Sequence, residues 1–334
     1  MNLRIDPPMQ AGSGVWQTAR CWLAEQGQAA VATVVATWGS APVPAGGQLV
    51  VGPGDRFEGS VSGGCVEVDV LVEAADAMAA GKSKLIEYGV SDEAAWRVGL
   101  ACGGTIKVFV EPLTRADIPV IDTILAAAEQ RRSMLIATKT VDGSRRIFGA
   151  DEVPEALAAH FAEGGTRLID TPEGPVVVQP LLPPLRVVVA GATHIGQVFA
   201  EMARLVGYSV TVIDPRPMFA SAERFGTVAM PEWPQESLDE LGFDERTAVV
   251  ALTHAAHIDD EVLAAALRSP CLYIGALGSR ATNAKRTERL KAAGFDEEAL
   301  KRIHAPVGLN IGAKGPAEIA VSILAEIVKV VRGA

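Results

Sequence analysis

The segment Val187-Val188-Val189-Ala190-Gly191-Ala192-Thr193-His194-Ile195-Gly196 constrains this chain more than any other. A short, wholly apolar run feeds a glycine turn that opens directly into helical periodicity. Asp214 closes the next apolar run, 23 residues after Gly191. Strand, glycine turn, helix and an acidic residue at that distance make up the dinucleotide-type fingerprint of a parallel α/β sheet. Gly191 permits the tight turn, Gly196 permits close packing of helix on strand, and the free N–H groups of the helix start attract a phosphate. One position departs from the pattern: Thr193 stands where a middle glycine ordinarily lets the backbone approach a pyrophosphate. Asp214 suits a ribose hydroxyl and Arg216 suits a phosphate, so the nucleotide class stays open. His194 either caps the turn or touches the ligand.

The surrounding pattern extends this unit. Residues 186–190, 209–213, 247–251 and 271–275 read as strands, with helices over 195–206 and 259–267, an alternation that predicts a doubly wound parallel sheet. In the first half, helical spacing covers 15–26 and 66–80, and short β-branched runs at 29–37, 49–51, 84–88 and 105–111 predict strands. Pro112 to Pro119 interrupts that pattern, and 120–179 holds two further expected strands, 134–140 and 176–179, with helices between. Pro180, Pro183 and Pro184 form the best linker, because proline lacks the donor that a central element needs. The expected fold is therefore α/β. An N-terminal α/β domain (1–115) and a connecting subdomain with its linker (116–183) are followed by a C-terminal Rossmann-like doubly wound parallel sheet (184–334), and 334 residues are enough for this.

Charge narrows the partners. Acidic residues outnumber basic ones by 40 to 30, which argues against nucleic acid or an anionic membrane as the main partner, so any anion must be held locally. No stretch reaches the roughly 18 apolar residues of a membrane helix, and the start has no basic region followed by an apolar one, so the expected location is cytoplasmic.

The four cysteines are widely separated, which fits neither a disulfide framework nor a zinc finger. Cys21 and Cys271 fall in apolar periodic runs and read as core. Cys65 follows Gly63 and Gly64 in a Gly/Ser turn at a helix start, where the helix dipole favours an anion such as a thiolate. Cys102 precedes Gly103 and Gly104, so little neighbouring bulk hides its sulfur. Soft thiolates suit molybdenum–sulfur chemistry or a transferable sulfur; the competing role for both is that of a small buried hydrophobe. Glu67 is placed either to stabilise the helix start or to hydrogen-bond a pterin amide. Ser40, in the rigid loop Trp38-Gly39-Ser40-Ala41-Pro42, is expected to wall a pocket.

Together these motifs resemble the XdhC/CoxI family of molybdenum hydroxylase maturation proteins. In the first half the resemblance rests on Gly39-Ser40-Ala41-Pro42, Gly63-Gly64-Cys65-Val66-Glu67 and Cys102-Gly103-Gly104. In the second it rests on the Gly191 turn, Thr253-His254, Gly275 to Arg280, and the stretch from His304 to Lys314. The resemblance implies a cytoplasmic accessory protein without turnover of its own. It would bind molybdenum cofactor, as molybdopterin or a dinucleotide form, protect it while its terminal sulfur is installed, and insert it into apo xanthine dehydrogenase or a related molybdenum hydroxylase. It also implies contact with a cysteine desulfurase and cofactor-synthesis proteins, and is compatible with a homodimer. Carried onto this sequence, Cys65 and Cys102 would meet the molybdenum centre and the Gly191 turn its phosphate. Gly278-Ser279-Arg280, ahead of a basic helix, reads as a second anion clamp or as a solvated basic face. His254 and His257 read as polar pocket lining rather than metal ligands, and Lys314, before a helix with Pro316 in its first turn, is available to a phosphate. The alternative is an NAD(P)-dependent oxidoreductase that uses Asp214, with His254 or His304 as acid/base.

Overall fold

The computed structural model describes residues 13–54, 56–89, 104–253 and 255–333. They form two compact units, Ala11–Pro183 and Pro184–Ala334.

The first unit begins with helix α1 (Ser13–Gln26), whose Trp16, Ala19 and Leu23 lie on one stripe and are buried. Strands β1 (Gln28–Trp38), β2 (Gln48–Gly52), β3 (Arg56–Gly59), β4 (Lys84–Tyr88) and β5 (Thr105–Thr114) form an antiparallel sheet in the order β3-β2-β1-β5-β4. β1 lies at its centre and is apolar on both faces. Ala30, Ala32 and Val34 pack under Val70, Ala74 and Ala77 of helix α2 (Glu67–Ala80), while Ala29 and Val31 meet α1 on the other side. Burial on both faces explains why its sequence shows no polar alternation.

Helix α3 (Ile118–Glu129) packs Ile121 and Ile124 against α1. A second antiparallel sheet follows, β7-β6-β9-β8, built from β6 (Met134–Lys139), β7 (Arg145–Gly149), β8 (Arg167–Thr171) and β9 (Gly174–Leu181) around helix α4 (Glu155–Glu163). Here the sequence reading needed correction. β3, β7 and β8 were not expected, because they are short and largely half-exposed, without a distinct apolar run. β5 also runs through Pro112, and Pro180 lies inside β9. Both prolines sit where the strand has a single neighbour, positions at which a missing donor is tolerated. The units divide between Pro183 and Pro184.

The second unit is a six-stranded, all-parallel sheet. Its strands are β10 (Arg186–Ala190), β11 (Ser209–Ile213), β12 (Ala229–Met230), β13 (Thr247–Ala251), β14 (Tyr273–Ala276) and β15 (Ile303–His304). Their order, β12-β11-β10-β13-β14-β15, reverses between β10 and β13, which is the Rossmann arrangement with its ligand crevice at the reversal. Helices α5 (His194–Leu205) and α11 (Pro316–Arg332) cover one face through Phe199, Ala203, Ile323 and Ile327. Helices α8 (Ala256–Arg268) and α9 (Arg280–Ala292) cover the other through Val262, Leu263, Ala266 and Leu290. Short helices α6 (Ala222–Phe225), α7 (Pro234–Leu241) and α10 (Glu297–Leu300) complete it. No helix among the described residues is long and apolar enough to cross a membrane.

Candidate functional site

In the first unit three loops converge at one end of the sheet, where β1 and β3 finish and β5 begins. A Cβ on Gly104 would stand 2.4 Å from the Ser40 carbonyl oxygen and 2.9 Å from that of Trp38, so only glycine lets the start of β5 lie against this loop. On the other side, a Cβ on Gly63 would sit 3.4 Å from Pro42. Ser40, Gly63 and Gly64 are exposed, and Cys65 is half-buried, packed with Ala41 and Val43 on the core beneath. Cys102 and Gly103 lie outside the described residues.

The shape of the Cys65 loop is set by Glu67. Its Oε1 accepts from Ser60 Oγ (2.6 Å), Ser62 N (2.9 Å) and Val61 N (3.2 Å), and its Oε2 accepts from Gly64 N (2.8 Å) and Ser62 Oγ. Ser62 Oγ in turn accepts from the N–H groups of Cys65 (3.0 Å) and Val66 (2.9 Å). Burial opposes ionisation of Glu67, but the donors from Ser60, Ser62 and the loop outweigh it and hold the carboxyl at about 2. Glu67 is thus a buried internal anion that folds the loop. This corrects the expectation that it meets a pterin amide, since both oxygens are already engaged. Ser60 and Ser62 are the residues the sequence reading missed: the Gly/Ser run signalled a turn, without saying which carboxylate would fill it.

In the second unit Gly191 adopts φ +117, and a Cβ there would stand 2.7 Å from Thr253 Cγ2 and 3.0 Å from Thr253 N. Thr193 caps α5, its Oγ1 accepting from Gly196 N at 3.1 Å. The residue that breaks the glycine fingerprint therefore has a definite local role. His194 is exposed, and its N–H and that of Ile195 belong to the first turn, where helix geometry provides no carbonyl partner.

Asp214 is fully buried, and its oxygens accept from Ala192 N (2.8 Å), Arg216 N (3.0 Å), Arg216 Nε (2.8 Å) and Arg216 Nη2 (2.7 Å). Burial opposes its ionisation, yet the Arg216 guanidinium and the two N–H groups keep the carboxyl below the usual carboxylate range. Asp214 is therefore a strut between the turn and Arg216, and the ribose-binding role expected of it is not open to it. Arg216 lies over the Phe219 ring at 4.1 Å and remains part-exposed.

The other expected contacts are spread along the carboxyl edge of the parallel sheet. Ser279 caps α9, accepting from Thr282 N at 3.2 Å, and Arg280 is exposed as the first residue of that helix. Gly278 O accepts from Asn283 Nδ2 at 3.0 Å. At α11, the N–H groups of Lys314 (2.8 Å) and Gly315 (3.3 Å) both donate to Glu318 Oε2, so this helix start carries its own anion, and only the side chain of Lys314 is available. His254 lies outside the described residues, and His257 is tilted against Trp233 with ring centroids 5.8 Å apart.

Comparisons with known proteins follow the two units. Residues 22–89 match the XdhC and CoxI family, and residues 187–327 match the XdhC Rossmann domain. The chain is 29% identical over 92% of its length to a probable xanthine dehydrogenase subunit of Bacillus subtilis (strain 168), 94% of which is covered. It is 30% identical over 90% of its length to the molybdenum cofactor insertion chaperone PaoD of Escherichia coli (strain K12), 83% of which is covered. The crystal structure of a xanthine dehydrogenase from Bacillus halodurans shares the fold over 96% of each chain, with a TM-score of 0.75 at 23% identity. With both units matched and a 30% identical relative spanned over most of its length, the chain belongs to the XdhC and CoxI family.

Proposed function

We propose that this protein binds molybdenum cofactor as cargo and inserts it into an apo-enzyme of the xanthine dehydrogenase type. The observation that carries the reading is the half-buried thiol of Cys65, set behind exposed Gly63 and Gly64 in a loop that Glu67 makes rigid. A soft sulfur held in that way suits a molybdenum–sulfur centre. The name of the Escherichia coli relative, a molybdenum cofactor insertion chaperone, and the family match support the same role, which is delivery rather than turnover.

In this reading Cys65, with Cys102, faces the metal end of the cargo, Ser40 walls the same loops, and the first-turn N–H groups of α5 suit a phosphate. The role includes protection of the cofactor while its terminal sulfur is installed by a desulfurase, in the cytoplasm, by a chain that works as a monomer or a homodimer. The fully engaged Asp214 removes the main support for the NAD(P) alternative.

The test is expression of the full chain with and without a molybdopterin source, followed by cofactor extraction. Wild-type protein should retain pterin, and Cys65→Ala and Cys102→Ala should each lower the amount retained at least tenfold while leaving the circular dichroism spectrum intact. Bound nicotinamide with no pterin, or wild-type retention in both variants, would overturn the reading.

A further inference from the structure

A cleft of about 320 Å³ opens between the first turns of α8 and α9, lined by Ala256, Asp259, Ala281, Thr282, Lys285, Arg286 and Arg289. It lies within the second unit and is formed by different residues from the Gly191 turn. Four observations converge on it. First, Ala256 and Ala281 are small residues in the first turns of two helices of 13 residues each, so two positive helix ends border one space.

Second, the buried charges leave one donor over. Arg286 is 3% exposed, and its guanidinium donates to Asn283 Oδ1, to Asp259 Oδ2 (3.1 Å) and to the Leu277 carbonyl (3.1 Å). Its buried Nε has no partner among the described residues, and an orphaned buried donor of this kind calls for an acceptor. Third, the acid in the lining is already neutralised. Asp259 Oδ1 accepts from Thr253 Oγ1 (2.6 Å) and Thr253 N (3.2 Å), and Oδ2 takes Arg286.

Fourth, the rim is cationic. Arg289 is tied to Asp260 (3.0 Å from Nη2), whereas Lys285 is exposed with no ion pair among the described residues. Three cations against Asp259 and Asp260 leave one positive charge in excess, reinforced by two helix dipoles.

We propose that this cleft is a binding site for the phosphate or diphosphate group of a phosphorylated small molecule. Arg286 Nε would sit at its base, and Lys285, Arg289 and the Thr282 hydroxyl at its mouth. Its volume stands at the bottom of the range of about 300–1,000 Å³ for small-molecule sites, which favours a phosphoryl or diphosphoryl group over a whole dinucleotide. The inference does not depend on the cofactor reading, because it rests on this cleft alone.

The experiment is calorimetric titration of the full chain with inorganic pyrophosphate at low ionic strength. Saturable binding should weaken at least tenfold in Lys285→Ala and further in Lys285→Ala/Arg289→Ala, with unchanged thermal unfolding of the unliganded Lys285→Ala protein, since that side chain is exposed and has no ion pair among the described residues. Arg286→Lys keeps the charge facing Asp259 but removes the guanidinium Nε, and should weaken binding by a similar factor. Absence of saturable binding, or the same affinity in the double variant, would overturn the proposal. So would a loss caused by His194→Ala but not by the cleft variants, which would assign the anion to the Gly191 turn.

Discussion

The two glycine-rich loops, one in each unit, treat their backbone N–H groups in opposite ways. The Ser60–Glu67 loop turns the N–H groups of Val61, Ser62 and Gly64 inward onto one buried carboxylate. The Gly191–Gly196 turn engages Gly191, on the Ile213 carbonyl, Ala192, on Asp214, and Gly196, on Thr193, and leaves the first turn of α5 facing outward. An amide-rich glycine loop is therefore an anion site only when no internal carboxylate has filled it. The start of α11, closed by Glu318, repeats the first pattern. The first loop presents a side chain, Cys65; the second presents backbone.

The strongest way to break this contrast is at Gly191. Gly191→Val forces a branched side chain onto φ +117 and into Thr253, and should cost about 3 kcal/mol or more, as strain and overpacking combine. Thermal unfolding of the second unit checks this, and near-native stability would mean that the turn is not held against β13.

Next comes Glu67→Gln, which turns an acceptor oxygen into a donor facing Ser62 and Gly64. A loss of about 2 kcal/mol is expected, the scale of hydrogen bonds to a charged group. The same carboxylate sets a pH dependence. Its folded-state value of about 2 lies below the unfolded one, so its contribution is complete above the unfolded value of about 4.3. That contribution is lost as pH falls from there towards the folded value. Wild type should show this acid loss in denaturant melts, and Glu67→Gln should show a flatter profile over that window. Parallel profiles would make Glu67 a bystander.

A smaller effect is expected at Thr193, the residue that departs from the glycine fingerprint. Thr193→Ala removes the cap on Gly196 N and should cost about 1 kcal/mol, read as a lower melting temperature. No change would mean that the threonine is there for a ligand and not for the helix. The smallest effect belongs to Cys65→Ala, expected to change stability by less than about 1 kcal/mol while reducing cofactor retention. A large loss of stability would move Cys65 from presented group to core.

Much of the second unit was legible because buried parallel strands are continuous apolar runs, and β10, β11 and β13 lie where those runs fall. The first unit was harder to read. β7 and β8 carry Arg145, Arg146, Arg167 and Asp170 and so mimic loops, and Pro112 and Pro180 look like breaks until their strands are seen to have one neighbour there. Among the site residues, the turns around Cys65 and Gly191 were visible as glycine patterns. The cleft between α8 and α9 was seen only in part, as a basic helix after Gly278, because its other wall, Ala256 and Asp259, comes from a different helix.

By itself, the sequence determined where strands and helices alternate and where backbone must turn without a side chain. These are local properties, set by spacing and by the steric freedom of glycine. It did not sort the thiols, since Cys21, read as core from the periodicity of α1, is exposed, while Cys271 is buried as expected. Only the tertiary structure decided which anion occupies which amides, since Glu67 and Asp214 are carboxylates of the same kind on paper and differ from free ligand-binding acids through the donors folded around them. Satisfying a buried charge is a property of its whole surroundings, and those are assembled from segments far apart in the chain.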